Sequence, residues 1–351
     1  MSLVPHLRSN PNGVAAIVGL ATLWEAIRFL LVERTPSRMG DDAFLVWKPL
    51  AEAVLSGTPL YRQRALDNKP PFWLFQQVLA EASGHYFAVN LLLVGLANAA
   101  IALCIWYLVD RSASIRVDGF LAAVLFLVAV PVVAAQISNK NAAVLFVLLA
   151  LVFSRPIRVG GLLAAGALFA QQVVFAIPAV AWIVGVRRSD APGRWLVRFA
   201  VAGVGLVALA YGLVGIVWGP ESAIRGLELA AGQGGPGATG STYFLSGMGR
   251  EQSLLVNPGQ WLYSTYVVLH SVFFLIVPAV VGVALAVRGS GSGTASVERQ
   301  FLIVGGFLAL SLAIRPYRNY WVLLLPSLAV LASAGYLRIA DVGSELVPDG
   351  E

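Results

Sequence analysis

Apolar segments of about 18–20 residues recur along nearly the whole chain, and no other feature constrains the fold as strongly. A helix of about that length crosses the hydrocarbon core of a bilayer. Only helices and closed barrels satisfy their backbone hydrogen bonds there. Of the 351 residues, 58% are hydrophobic and 12% are charged, whereas roughly a quarter of a soluble domain is charged. The sequence therefore predicts an all-α, polytopic membrane helical bundle.

We expect about ten membrane segments, which form a single transmembrane domain over 1–351 with no soluble C-terminal domain. A break at Gln171-Gln172 predicts that 159–186 is a hairpin of two short helices. The piece at 71–83 begins with two prolines, which suits the start of a helix, but it is too short to span comfortably. The predicted segments lie near 14–32, 86–109, 118–134, 141–153, the two halves of 159–186, 195–218, 260–287, 300–314 and 319–337.

The charged residues fit loops between membrane helices. The net charge is +6, and the cations are scattered between segments instead of gathering on one face, so a nucleic-acid partner is not expected. The only cysteine, Cys104, lies inside an apolar run, which excludes an intramolecular disulfide. No cluster of cysteine and histidine suggests a metal site.

Arginines in short loops set the predicted orientation, because cytoplasmic loops are enriched in cations. The opposite face then receives a first external loop at 33–85 and a second, glycine-rich one at 219–259. It also keeps several cations, which suggests an anionic ligand on the extracytoplasmic side of a multi-pass cell-membrane protein. This orientation requires that 71–83 does not cross and that 159–186 is a hairpin. The segments assigned to the cytoplasm are 1–13, 110–117, 154–158, 187–194, 288–299 and the C-terminal tail.

The first external loop opens with an acidic pair, Asp41 and Asp42. One of them can act as a general base on an acceptor hydroxyl while the other binds or orients the acceptor. Alternatively, the pair is solvated and caps a short interfacial helix near 43–56. The pattern alone leaves both interpretations open.

A Lys-Pro-Pro motif closes this polar stretch. The prolines fix the backbone and aim Lys69, a cation suited to neutralising a phosphate or carboxylate. The alternative is an exposed lysine at a helix N-terminus.

A third motif, Arg-Pro-Tyr-Arg-Asn-Tyr-Trp, lies between two late membrane segments. Arg315 and Arg318 are candidate phosphate ligands because a guanidinium binds phosphate in a bidentate manner. Tyr317 and Tyr320 accompany them as candidate substrate contacts. The alternative is an aromatic belt with snorkelling arginines.

Two polar stretches remain ambiguous. Asn139 and Lys140 lie between predicted segments on the same face, as sugar contacts or as a simple turn. The glycine-rich stretch within 219–259 is a mobile lid over the site or a flexible linker.

Together, the acidic pair after the first segment, the Lys-Pro-Pro motif and a late R-P-Y-x-x-Y before a final helix with Leu325-Pro326 resemble the GT-C superfamily of integral-membrane glycosyltransferases. The likeness is to the protein O-mannosyltransferase and aminoarabinose-transferase branch, and in order and spacing it covers most of the chain. One departure is that many members carry an acid between the third and fourth helices, where this chain has Asn139 and Lys140.

The resemblance implies an inverting transfer of a sugar from a polyprenyl-phosphate carrier, dolichyl or undecaprenyl, to a glycan, lipid or protein acceptor. Asp41 would be the base, and Asp42 would position the acceptor or a cation. Lys69, Arg315 and Arg318 would hold the departing lipid phosphate. No cofactor is required, although a divalent cation at the acidic pair stays open. The alternatives are a transporter or flippase of an anionic lipid-linked sugar and a non-catalytic subunit of a glycan-assembly complex.

Overall fold

We describe the chain from a computed structural model. All regular elements in the described part of the chain are helical. The structure describes residues 3–34, 43–61, 69–112, 116–133, 137–230, 254–255, 257–288, 296–314 and 317–346.

Fifteen α-helices are assigned within those ranges, together with four short helical turns of other types. The α-helices are α1 (Leu3–Ser9), α2 (Pro11–Arg34), α3 (Lys48–Leu55), α4 (Pro71–Ala82), α5 (Tyr86–Arg111), α6 (Gly119–Val133), α7 (Asn139–Val152), α8 (Pro156–Phe169), α9 (Ile177–Val180), α10 (Pro192–Trp218), α11 (Pro220–Ala230), α12 (Pro258–Ser271), α13 (Phe273–Arg288), α14 (Val297–Ile314) and α15 (Leu325–Leu346). The π-helical turns are Ala43–Trp47 and Ala181–Val186, and the 3₁₀ turns are Gln171–Ala176 and Arg318–Leu323.

Four helices, α2, α5, α10 and α15, are long and apolar enough to cross a membrane. A fifth span is added if the bent pair of α12 and α13 is one crossing. These helices indicate a membrane protein. The prediction of about ten membrane segments is not confirmed, because α6, α7, α8 and the 171–186 stretch are apolar but shorter.

Two sequence-based boundaries agree with the structure. The helix α4 begins at Pro71, and Pro70 before it is extended, as expected of a residue that precedes proline. The predicted break near Gln171-Gln172 falls at Ala170, which is extended between α8 and the 3₁₀ turn.

The segment near 260–287 is not the single straight helix that its hydropathy suggested. It divides into α12 and α13, which meet at an angle of 96°. Within α13, Pro278 cannot donate a backbone hydrogen bond to the carbonyl of Phe274. The hydroxyl of Tyr336 on α15 donates to that oxygen instead (2.7 Å). It therefore satisfies the backbone carbonyl that the proline leaves without a donor.

The second predicted loop, 219–259, is also more structured than expected. Its first part forms α11, which packs against α10. The stretch 231–253 lies outside the described residues.

The helices α13 and α15 form the most extensive helix pair among the described elements. At two positions the backbones touch directly, because a Cβ on Gly282 would overlap the carbonyl of Leu331 and one on Gly335 would overlap the carbonyl of Pro278. Small residues let membrane helices approach this closely.

One end of the bundle gathers the beginnings of α7 and α15 and the ends of α6 and α8. Asn139 Nδ2 donates to the carbonyl of Phe169 (2.6 Å), and Arg318 donates to the carbonyl of Val132. We call this the site end. It holds the described parts of the segments that the arginine distribution assigns to the outer face.

The opposite end gathers the segments assigned to the cytoplasm. Arg111 Nη1 donates to the carbonyl of Val152 (3.0 Å), and the indole nitrogen of Trp195 donates to that of Ser154 (3.1 Å). Which side of a membrane each end faces remains a prediction.

Candidate functional site

The first residues of α7 carry a buried cation at the site end. The Ser138 hydroxyl caps the helix by accepting from the backbone N–H of Lys140 (3.2 Å). The Lys140 side chain is 1% exposed. Its Nζ donates to Asn139 Oδ1 (2.7 Å) and lies 4.5 Å from the ring centroid of Tyr320. Both side chains are buried at the start of α7, and whether they contact a sugar stays a prediction.

The 3₁₀ turn Arg318–Leu323 lies across the start of α7. Its Tyr320 ring covers Lys140 and meets the Tyr317 ring edge-on at 5.7 Å between centroids. The Arg318 guanidinium is exposed and donates to the carbonyl of Val132 near the C-terminus of α6. The last carbonyls of a helix have no partner within it and carry partial negative charge, so this contact holds the guanidinium in place.

Asn139 and Phe169 connect this cluster to the first external loop. The carbonyl of Phe169 accepts from Asn139, and the Phe169 ring lies 5.8 Å from that of Phe72. Phe72 follows the Lys-Pro-Pro motif by one residue. The Lys69 motif therefore lies at the same end of the bundle as Lys140 and Arg318.

Tyr61 fixes the backbone at Lys69. Its hydroxyl donates to the carbonyl of Lys69, eight positions later in the chain (2.9 Å). Tyr61 is buried and has φ of 63°, a conformation uncommon for a residue with a Cβ. Such strain is retained only where the surroundings enforce it, and it concentrates at functional sites.

A second aromatic contact sets the position of the Lys69 ammonium. Its Nζ lies 5.6 Å from the ring centroid of Trp47, and Trp47 packs edge-on against Trp73 at 6.2 Å. Lys48 pairs with Glu52 and with Glu81 (3.6 Å), which ties α3 to α4. The hydrogen bond to Glu52 is the main cause that raises the pKa of Lys48.

No protein-family model, curated protein or solved structure matches this chain.

A chain of polar side chains extends from the cluster into the bundle. Asn141 Nδ2 donates to Asn98 Oδ1 (2.6 Å), and Asn98 Nδ2 donates to Glu25 Oε1 (3.4 Å). Glu25 also pairs with Arg28, one helical turn further along α2 (3.0 Å). All four side chains are buried. Polar groups inside a membrane bundle usually pair with one another and mark functional regions.

The structure thus brings together five of the predicted site residues: Asn139, Lys140, Tyr317, Arg318 and Tyr320. Lys69 lies at the same end of the bundle. Asp41, Asp42 and Arg315 lie outside the described residues. Within the described ranges, no three His, Cys, Asp or Glu side chains are close enough together to hold a metal ion.

Sequence reasoning missed Tyr61, Phe169 and Asn98. Asn98 carried a usable signal, because it is a polar residue inside an apolar run. Tyr61 and Phe169 carried none, since their roles depend on a backbone conformation and on a backbone carbonyl.

Proposed function

We propose that the chain is an inverting glycosyltransferase that moves a sugar from a polyprenyl-phosphate carrier to an acceptor on the extracytoplasmic face. The observation that carries the proposal is the cluster at the site end. There the buried Lys140 ammonium at the start of α7 lies against Tyr320, and Tyr317 and the exposed Arg318 guanidinium come from the same turn before α15, at the end of the bundle that also holds the Lys-Pro-Pro motif.

These groups suit a departing phosphate. Cations held in place before the reaction stabilise negative charge as it develops in the transition state. Lys140 supplies a fixed positive charge from inside the bundle, and Arg318 offers a planar fork of donors at the surface. The phosphate leaves as a stable anion, so no general acid is required.

In the proposed reaction, the acidic pair acts on the acceptor. Asp41 takes the proton of the acceptor hydroxyl, and that oxygen attacks the anomeric carbon from the face opposite the phosphate. The carbon–oxygen bond to the phosphate breaks, its electron pair leaves with the phosphate, and the anomeric centre inverts. Asp42 positions the acceptor.

The neighbourhood of the acidic pair supports this assignment. Ala43, the next residue along the chain, is buried in one apolar cluster with Trp47 and Ile137. Ile137 directly precedes the Ser138 cap of α7. The described chain therefore resumes, directly after the acidic pair, at the same end of the bundle as the cationic cluster.

The test measures release of polyprenyl phosphate and free or transferred sugar by purified protein, with a panel of undecaprenyl- and dolichyl-phosphate sugars as donors. Arg318→Ala should lower kcat/KM about tenfold or more, because a charge-assisted hydrogen bond contributes about 1.5–3 kcal/mol. Arg318→Lys should also be impaired, since the bidentate geometry is lost.

Arg194→Ala is the matched control, because Arg194 is exposed near the start of α10 at the opposite end. Its rate should equal that of the wild type. If Arg318→Ala keeps the wild-type donor affinity and rate, then Arg318 does not hold the phosphate and is only a snorkelling arginine in an aromatic belt. Translocation of intact donor without cleavage would favour the transporter.

A further inference from the structure

The end of the bundle away from the candidate site contains a cationic pocket of about 450 Å³. Three arginines line it, Arg116, Arg288 and Arg338, together with Asp341 and an apolar part that includes Leu285 and Leu337. The three arginines are exposed and come from three segments that are distant in sequence.

Well-packed helices build the walls of this pocket. Arg288 ends α13 and Arg338 lies on α15, and the glycine contacts described above hold these two helices together. The third wall is fixed at Asp118, two residues after Arg116. The Asp118 N–H donates to Ser333 Oγ (3.1 Å), and the Ser333 hydroxyl donates to the Asp118 carbonyl (2.9 Å). A pocket formed in advance loses little entropy when a ligand binds.

The charges in the pocket favour an anion. Three guanidinium groups and one carboxylate give the described lining a formal net charge of +2. Arginine matches phosphate geometry and binds it through two parallel hydrogen bonds. Among the described residues, neither Arg338 nor Asp341 takes part in a salt bridge.

The apolar part of the lining favours an amphiphile over a free ion. Leu285 and Leu337 lie beside the arginines at the end of a membrane bundle, where acyl chains and headgroups meet. Basic pockets between membrane helices at a cytoplasmic surface bind phosphorylated lipid headgroups.

We propose that this pocket binds the phosphate headgroup of an anionic phospholipid in the leaflet at that end. The site is separate from the proposed transferase centre. The helix α6 runs between them, and Asp118 and Val132 at its two ends are about 21 Å apart along the helix axis. The lipid binds there whether or not the site end transfers sugar.

The test counts bound lipid by native mass spectrometry of the full chain in detergent, titrated with phosphatidylglycerol, phosphatidylcholine or inorganic phosphate. Phosphatidylglycerol should bind more tightly than phosphatidylcholine. Arg338→Ala and Arg288→Ala should each weaken it about fivefold, because one cation at a membrane surface contributes about 1 kcal/mol to lipid binding.

Asp341→Asn gives the sharpest readout, because it removes the one carboxylate among the described lining residues. It should tighten phosphatidylglycerol binding by about two- to fivefold, whereas a merely structural role would weaken binding in the arginine and aspartate variants alike. Arg194→Ala, at the same end but outside the pocket, should leave binding unchanged. Thermal unfolding of each variant in the same detergent checks that the fold is intact.

Three results would overturn the proposal. The first is equal binding of phosphatidylglycerol and phosphatidylcholine. The second is unchanged affinity in a folded Arg338→Ala variant. The third is displacement of phosphatidylglycerol by inorganic phosphate at equal concentration, which would assign the pocket to free phosphate.

Discussion

At the residue scale, the Lys140–Tyr320 contact is the most specific feature of the candidate site. A buried ammonium is costly unless other groups replace its hydration. Here Asn139 Oδ1 and the face of the Tyr320 ring contribute to that replacement. The contact therefore links the start of α7 to the turn before α15.

Substitutions at Tyr320 separate the ring from its hydroxyl. A cation–π contact contributes about 0.5–2 kcal/mol, and Tyr320→Phe keeps it whereas Tyr320→Leu does not. We expect Tyr320→Phe to unfold near the wild-type temperature and Tyr320→Leu to unfold several degrees lower, by thermal scans in detergent. Equal losses in both variants would show that the hydroxyl, not the ring face, holds the lysine.

At the element scale, two glycines should respond in opposite ways to alanine, because one lies in the close contact between α13 and α15 and the other does not. Gly335→Ala places a methyl group against the carbonyl of Pro278, and overpacking of this kind costs about 1–3 kcal/mol. Gly306 lies in α14 with no atom near an added Cβ, so Gly306→Ala should stabilise by about 0.5–1 kcal/mol through helix propensity.

Thermal unfolding in one detergent measures both variants. A Gly335→Ala protein as stable as the wild type would mean that α13 and α15 do not pack as closely as described.

Some helix boundaries could be predicted from the sequence, and others could not. The start of α4 and the break before Gln171 were predictable, because proline and paired polar residues act locally. The 96° bend between α12 and α13 was not predicted, because the run 260–287 is mostly apolar and no proline stands at the break after Ser271. The contact of Tyr336 with the Phe274 carbonyl was not predictable either, because it joins residues far apart in the sequence.

At the scale of the whole molecule, composition and hydropathy predicted the helical class, and the arginine pattern grouped the segments that the structure places at two ends. The sequence also named most of the cluster, because Asn139, Lys140, Tyr317, Arg318 and Tyr320 interrupt apolar runs. It could not predict that Lys140 is buried beneath Tyr320, because that contact joins residues 180 positions apart and depends on how the helices assemble.

The central claim is sugar transfer from a polyprenyl phosphate with Asp41 as the base. The most direct measurement follows conversion of the donor by purified wild type, Asp41→Asn and Asp42→Asn, with donor binding measured in parallel. The account predicts an inverted product from the wild type and normal donor binding by Asp41→Asn with transfer reduced by about 10²–10⁴. Asp42→Asn should reduce transfer less than Asp41→Asn does. Near-normal transfer by both variants, or no donor cleavage by the wild type, would contradict it.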